Sequence, residues 1–210
     1  MVRFIFGMIV GVVLLFFSVY ALAWYGRMPV TVADSPLPHE RQIVSKVLHL
    51  RMQREAVGAS PIQPEEANFV AGARIYTERC SVCHGLHGKP SALGADMYPI
   101  APQLLETHGK NNVVGVSDDP VGTTYWKVYN GIRLTGMPSF KDQLDENAMW
   151  QVSLFLAYAD KPMPPAALQI LRSAPAPPTG KHTQPAPPEE PPIKSAPFSG
   201  TPEEKGSPEQ

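Results

Sequence analysis

Twenty-two successive residues without a charge, Phe4 to Tyr25, set the first limit on how this 210-residue chain can fold. A helix rises about 1.5 Å per residue, so the run spans about 33 Å, enough to cross a hydrocarbon layer about 30 Å thick. Trp24 and Tyr25 close the run, where amphipathic rings favour an interface, and Arg3 and Arg27 bracket it. Ala21-Leu22-Ala23 also has the small-x-small form of a leader cleavage site. Against a leader, the run exceeds the roughly 7–15 apolar residues usual there, and Arg3 alone makes up the basic start. A buried core helix is a third alternative, but no other part of the chain is large enough to surround it. Residues 4–25 are therefore read as a transmembrane anchor, with a signal peptide as the alternative.

Composition divides the remainder of the chain. Fourteen of the 24 prolines lie in the last 50 residues. That stretch has few large apolar residues after Leu171 and cannot bury enough surface to offset ordering entropy. Residues 161–210 are expected to form a disordered Pro-rich tail, extended where Ala and Pro alternate. Residues 26–60 read as a juxtamembrane linker. Ser35-Pro36-Leu37-Pro38 breaks the chain, and a helix is expected over 39–57, stopped by Gly58 and Pro61. Ile43, Val44, Val47 and Leu48 share one face of it, with Arg41, Lys46, Arg51 and Arg54 interspersed. Such a helix either lies along a membrane surface or packs on the adjoining domain or a neighbouring subunit, and its short stripe favours packing. Only residues 61–160 look able to bury a core. Formal charge is +3 over residues 1–60 (six basic, three acidic), -4 over 61–160 (seven and eleven) and zero over 161–210 (five and five). No segment is basic enough to bind nucleic acid.

Within 61–160, Pro64-Glu65-Glu66 has the form of a helix start, proline first and acids where the helix dipole favours them. The helix should run to about Arg79, with Phe69, Ala73 and Tyr76 on one face. Gly72 adjoins that face. A glycine inside a helix costs about 1 kcal/mol relative to alanine, so it suggests a second helix crossing closely there. The chain's two cysteines, Cys80 and Cys83, stand too close together to staple a fold. In Cys80-Ser-Val-Cys83-His84 each thiol can add to one vinyl group of haem, and the histidine can lie under the iron. Two other chemistries use such a pair. Thiol exchange does, though usually where a strand enters a helix, and zinc could take both thiols with two of His84, His87 and His108. Fifty-three residues beyond His84, Gly136-Met137-Pro138 holds a methionine in a stiff loop between two expected helices. A thioether is a soft neutral ligand, and methionine opposite histidine is a haem pairing that raises the reduction potential. One of those helices starts after Asp118-Asp119-Pro120, ends at Gly131 and carries Tyr125, Trp126 and Tyr129, which line a pocket or simply pack in the core. The other starts at Asp145-Glu146. Its stripe of Trp150, Leu154 and Tyr158, with Phe155 beside it, should cover Gly72 and Tyr76 before Lys161-Pro162 stops it.

Taken together, residues 64–160 resemble a class I monohaem cytochrome c. The resemblance rests on the first helix, Cys80-Ser-Val-Cys-His-Gly85, a Pro102-Gln-Leu104 segment, the Gly136-Met-Pro138 loop and the closing helix; residues 1–60 and 161–210 lie outside it. It implies an all-α fold wrapped round one covalent haem c. Cys80 and Cys83 would attach the haem, His84 would be the proximal iron ligand and Met137 the distal one. The first and last helices would cross near a glycine, and the Pro102 carbonyl would sit near the Nδ1–H of His84. Arg133, Tyr98 and Trp126 are candidates to meet a haem propionate. The resemblance also implies attachment on the outer face of a bacterial inner membrane, with the amino terminus cytoplasmic and the haem domain periplasmic. The expected function is electron transfer between unidentified redox partners, donor and acceptor, rather than catalysis. A subunit role in a membrane-bound dehydrogenase or oxidase complex, or a haem-based gas or redox sensor, are the alternatives. No catalytic constellation stands elsewhere: His87 and His108 are isolated in polar loops, and His39, His49 and His182 lie outside the domain.

Overall fold

The chain packs its core around two crossing helices, described in a computed structural model that covers residues 1–26, 28–108 and 113–178. The first begins after Pro64 as expected: α3 spans Glu66–Ile75. It does not stop near Arg79. A π-helical turn, Tyr76–Cys80, carries it straight into α4, Ser81–His84. The second is α7, Glu146–Ala157, whose amino end is capped by the Asp145 carboxylate accepting from the Ala148 amide at 2.7 Å. The helices meet at Gly72. A Cβ there would lie 2.4 Å from the Gln151 carbonyl oxygen and 2.7 Å from Phe155 Cβ, so only glycine lets the backbones approach this closely.

Aromatic contacts extend that crossing. Tyr76 and Phe155 lie 5.7 Å apart between ring centroids, and Phe69 and Tyr158 lie 5.4 Å apart. Both geometries are tilted, as ring quadrupoles favour. The expected stripe on α7 needs correction. Gln151 and Phe155 cover Gly72, while Trp150 turns away to stack on Tyr125 at 3.9 Å and 10°. Residues from Met149 to Ala157 are buried on every side except Gln151, so α7 is the centre of the core rather than one wall of it.

Shorter elements surround this pair. Among the described residues, α6 spans Val121–Asn130, begins after Pro120 and stops at Gly131 (φ 67°), as the sequence suggested. The short α5, Ala92–Ala95, starts at Ser91, whose hydroxyl accepts from the Gly94 amide. A two-residue strand pair, β1 (Thr107–His108) with β2 (Val113–Val114), was not expected; it is antiparallel, with Thr107 opposite Val114.

Against the same core lies α8, Pro165–Ser173, which corrects the expectation that everything from 161 onward is structureless. Proline at the first helical position needs no amide donor and is preset in φ, so Pro164-Pro165 starts a helix here rather than preventing one. Ala167 is completely buried, and Met163, Ile170, Leu171 and Ala174 pack against the core. The spacing 167, 170, 171, 174 is that of one helix face. Residues 179–210, with the rest of the expected tail and His182, lie outside the described residues, as does Arg27.

Ahead of the core, α2 spans Glu40–Glu55, two residues shorter at its end than expected. It packs on the domain. Met52 is buried and Leu48 half-buried. The Trp126 indole N–H donates to Glu55 at 3.2 Å, and the Tyr98 hydroxyl donates to Glu40 at 3.4 Å. Just past it, the Val57 carbonyl lies where a Cβ on Gly122 would be. The amino-terminal helix, α1 (Val2–Trp24), is long and apolar enough to cross a membrane, and none of its residues is buried.

Candidate haem-binding site

The helix that makes the core also delivers the Cys-x-x-Cys-His motif. Tyr76, fully buried at the start of the π turn, donates its hydroxyl to the Gly85 carbonyl at 2.8 Å and lies 3.4 Å from that of His84. It thus ties the end of the motif back to the core. The Ser81 hydroxyl donates to the Thr77 carbonyl at 2.7 Å, and the Ser91 hydroxyl donates to the carbonyl of Val82 at 2.5 Å. Helix α5 presses on the motif so closely that a Cβ on Gly94 would overlap the Cys83 carbonyl.

Cys80 and Cys83 are not bonded to each other and are half-buried. Burial pushes the Cys80 thiol up to about 12, with the neighbouring Cys83 adding to it, and burial also raises Cys83. Exchange thiols work as thiolates and sit where the pKa is depressed, so this environment opposes the thiol-exchange reading. The zinc reading loses its ligands. His87 Nδ1 donates to the Leu105 carbonyl at 3.1 Å, and a His108 ring nitrogen faces the Gly115 carbonyl. Among the described residues no three His, Cys, Asp or Glu side chains group to hold a metal ion.

His84 is aimed differently. Its Nδ1–H donates to the Pro102 carbonyl at 2.8 Å. Burial lowers its pKa, and that hydrogen bond partly opposes the shift. Burial favours the neutral ring, and the hydrogen bond places its one proton on Nδ1, leaving the Nε2 lone pair available to a metal.

The loop with Met137 is built to hold one shape. The Ile132 amide donates to the Met137 carbonyl at 3.2 Å, and the Thr135 hydroxyl donates to the Ile132 carbonyl at 2.7 Å. That same hydroxyl oxygen accepts from the Met137 amide at 3.1 Å. Below, the Phe140 amide donates to the Val128 carbonyl at 3.0 Å, joining the loop to α6. Met137 is half-buried and packs against the core. Reasoning from Gly136 and Pro138 alone missed Thr135, whose hydroxyl does the bridging; a threonine two residues before the methionine was the available signal. The Met97 sulfur lies 2.7 Å from where a Gly136 Cβ would be, beside the methionine loop.

Other candidates move. Tyr98 and Trp126 spend their donors on Glu40 and Glu55 of α2, and Arg133 is exposed at the loop. Three buried polar atoms have no protein partner among the described residues: Gln103 Oε1, Thr124 Oγ1 and Trp150 Nε1. Buried donors are rarely left unpaired, so the Thr124 hydroxyl and Trp150 indole fit a domain that encloses a polar-edged cofactor. Two thiols three residues apart, an oriented imidazole and a pinned methionine complete a donor set suited to haem.

No curated protein and no solved structure matches the chain. A family model described as "Cytochrome C oxidase, cbb3-type, subunit III" matches residues 67–156. That interval runs from the first turn of α3 to the penultimate residue of α7 and includes both the Cys-x-x-Cys-His motif and Met137. It therefore spans the crossing-helix frame with its motif and loop, and on that match residues 67–156 form a cytochrome c domain, which implies haem-based electron transfer.

Proposed function

We propose that the chain is a membrane-anchored periplasmic electron carrier with one covalent haem c. Cys80 and Cys83 form the thioether links, His84 is the proximal ligand and Met137 the distal one. The observation that carries this reading is the 2.8 Å hydrogen bond from His84 Nδ1 to the Pro102 carbonyl, which fixes the tautomer and the ring direction. Bound haem supplies a one-electron iron couple. This chain's residues hold it and exclude competing chemistry. With His84 and Met137 both holding the iron, no coordination position would be left for a small molecule. The Thr135 hydroxyl bridge holds the Met137 backbone, so ligand exchange at neutral pH should be rare. Helix α1 holds the domain at the outer face of the membrane, its amino terminus cytoplasmic.

The ligand assignment is tested on two variants. Met137→His should keep six-coordination but lower the potential, because imidazole favours ferric iron more than a thioether does. Met137→Ala should lose the ferric-methionine charge-transfer band and gain carbon monoxide binding. Retention of that band with an unchanged potential would assign the distal position to another residue. Carbon monoxide binding by the unaltered reduced protein would instead favour a sensor. Acid-acetone extraction should leave the haem on the chain.

The family match favours a second setting for the same chemistry. The model it meets is named for a subunit of an oxidase, so this cytochrome could feed electrons within a membrane-bound complex rather than diffuse between partners. Isolation in mild detergent, with mass determination of the intact particle, separates a single chain from a complex.

A further inference from the structure

Helix α2 is apolar on two sides, and the domain uses only one. Leu48 and Met52 face the core. About 150° round the helix, counting 100° per residue, a second row runs Ile43, Val47, Leu50 at i, i+4, i+7. Those three side chains are 61%, 62% and 43% exposed. The row ends one further turn along in Arg54 and is flanked by Lys46, both exposed. The acids of the same helix are drawn elsewhere, Glu40 to Tyr98 and Glu55 to Trp126 and Arg51.

We infer that the Ile43–Val47–Leu50 face of α2 seats on an anionic phospholipid surface, with Lys46 and Arg54 among the headgroups. Apolar residues flanked by cations are what such an interface selects, because acyl boundary and headgroup phosphate reward them together. The chain's own connectivity points to the same occupant. Only 15 residues, 25–39, separate the end of α1 from the start of α2. Part of that connector is folded. The Asp34 carboxylate accepts from the amides of Val30 and Thr31 at 2.8 Å each. Pro29, Val30 and Pro36 line a cleft together with Glu40, Tyr98 and Leu134. A compact connector keeps α2 close to the bilayer that α1 would span, so contact is an intramolecular event at high effective concentration. The seating rests on the reading of α1 as a membrane anchor. It also fixes which side of the cytochrome domain faces the membrane, since α2 is bound to that domain through Trp126 and Tyr98.

The test uses the full haem-loaded chain in its own membranes. Val47→benzoylphenylalanine is irradiated and its adducts are weighed, with Lys141→benzoylphenylalanine as the water-facing control. A phospholipid adduct at 47, formed several-fold more than at 141, is the expected result. Adding Lys46→Glu and Arg54→Glu should cut that adduct several-fold. Cross-linking of position 47 to another polypeptide, or to a second copy of this chain, would overturn the proposal and make the face a protein interface. Adduct formation no greater than at 141, or indifference to the charge reversals, would overturn it too. A chain released by cell lysis without detergent would refute the anchor itself, and the seating with it. A chain that stays in the membrane without a lipid adduct at 47 refutes the seating alone.

Discussion

Tyr76 has no surface in contact with water, yet its hydroxyl is satisfied by the carbonyl that ends the haem motif. Tyr76→Phe keeps the ring against Phe155 and removes only that bond, leaving the Gly85 carbonyl to find another donor. A loss of about 1–2 kcal/mol in thermal or denaturant unfolding is expected, with little change in the visible spectrum. Met97 gives a sharper contrast. Its sulfur rests beside Gly136, so Met97→Ala should loosen the loop, at a cost of about 1–3 kcal/mol, while retaining the ferric-methionine charge-transfer band. Loss of the band would make Met97 the ligand. At this scale the sequence was readable where a residue's partner is dictated by its neighbours or by backbone shape. Gly72 announced a crossing because a helical glycine is costly without one. Tyr98, Trp126 and Met97 were unreadable for the opposite reason. Their partners lie 58, 71 and 39 positions away, and no local spacing encodes which of several polar groups a loop will bring near.

Among the elements, α8 shows how composition can mislead. Its segment is flanked by prolines and precedes a Pro-rich stretch, so an average over 50 residues hides one short amphipathic helix. The face that Ala167, Ile170 and Leu171 present to the core was in the sequence, at correct helical spacing, but the count of prolines outweighed it. Ending the chain at Pro162 should therefore lower stability by about 3 kcal/mol or more, the scale of losing several buried apolar side chains. Ending it at Pro178 should change stability by about 0.5 kcal/mol or less and leave the spectrum alone. Equal melting of the two truncated proteins would show that α8 contributes nothing to the fold. Clean flanking signals gave α6 its limits between Pro120 and Gly131 and α3 its start after Pro64, but not the π turn that carries the first helix past Arg79 to His84. The β1–β2 pair was missed because two-residue strands carry no periodicity.

For the molecule as a whole, the division into an apolar first helix, a connecting helix and a core-forming segment was read from hydropathy and composition, and the Cys80–His84 motif with the Met137 loop pointed that segment to the cytochromes. What those could not supply was orientation, because Arg3 on one side and Arg27 and Arg41 on the other leave the charge rule nearly balanced. Whether α1 stays attached is decided by amino-terminal sequencing of the mature protein. The expected result is a chain that retains Phe4–Tyr25 and needs detergent for extraction. A mature chain beginning at Trp24 would show that α1 is removed after export.

The π turn between Tyr76 and Cys80 has a consequence for how this molecule can change. A π turn amounts to one extra residue in a helix, and one residue is worth about 100° of rotation. Upstream of it, Phe69, Gly72 and Ala73 are locked in phase with α7. Downstream, the two thiols and His84 keep a phase of their own. The turn works as a coupling between two shafts, set so that packing and cofactor presentation are indexed separately. Substitutions that repack the α3–α7 crossing can then accumulate without re-aiming His84, whereas losing a single residue from 76–79 would swing Cys80, Cys83 and His84 together by about a quarter turn round the helix axis.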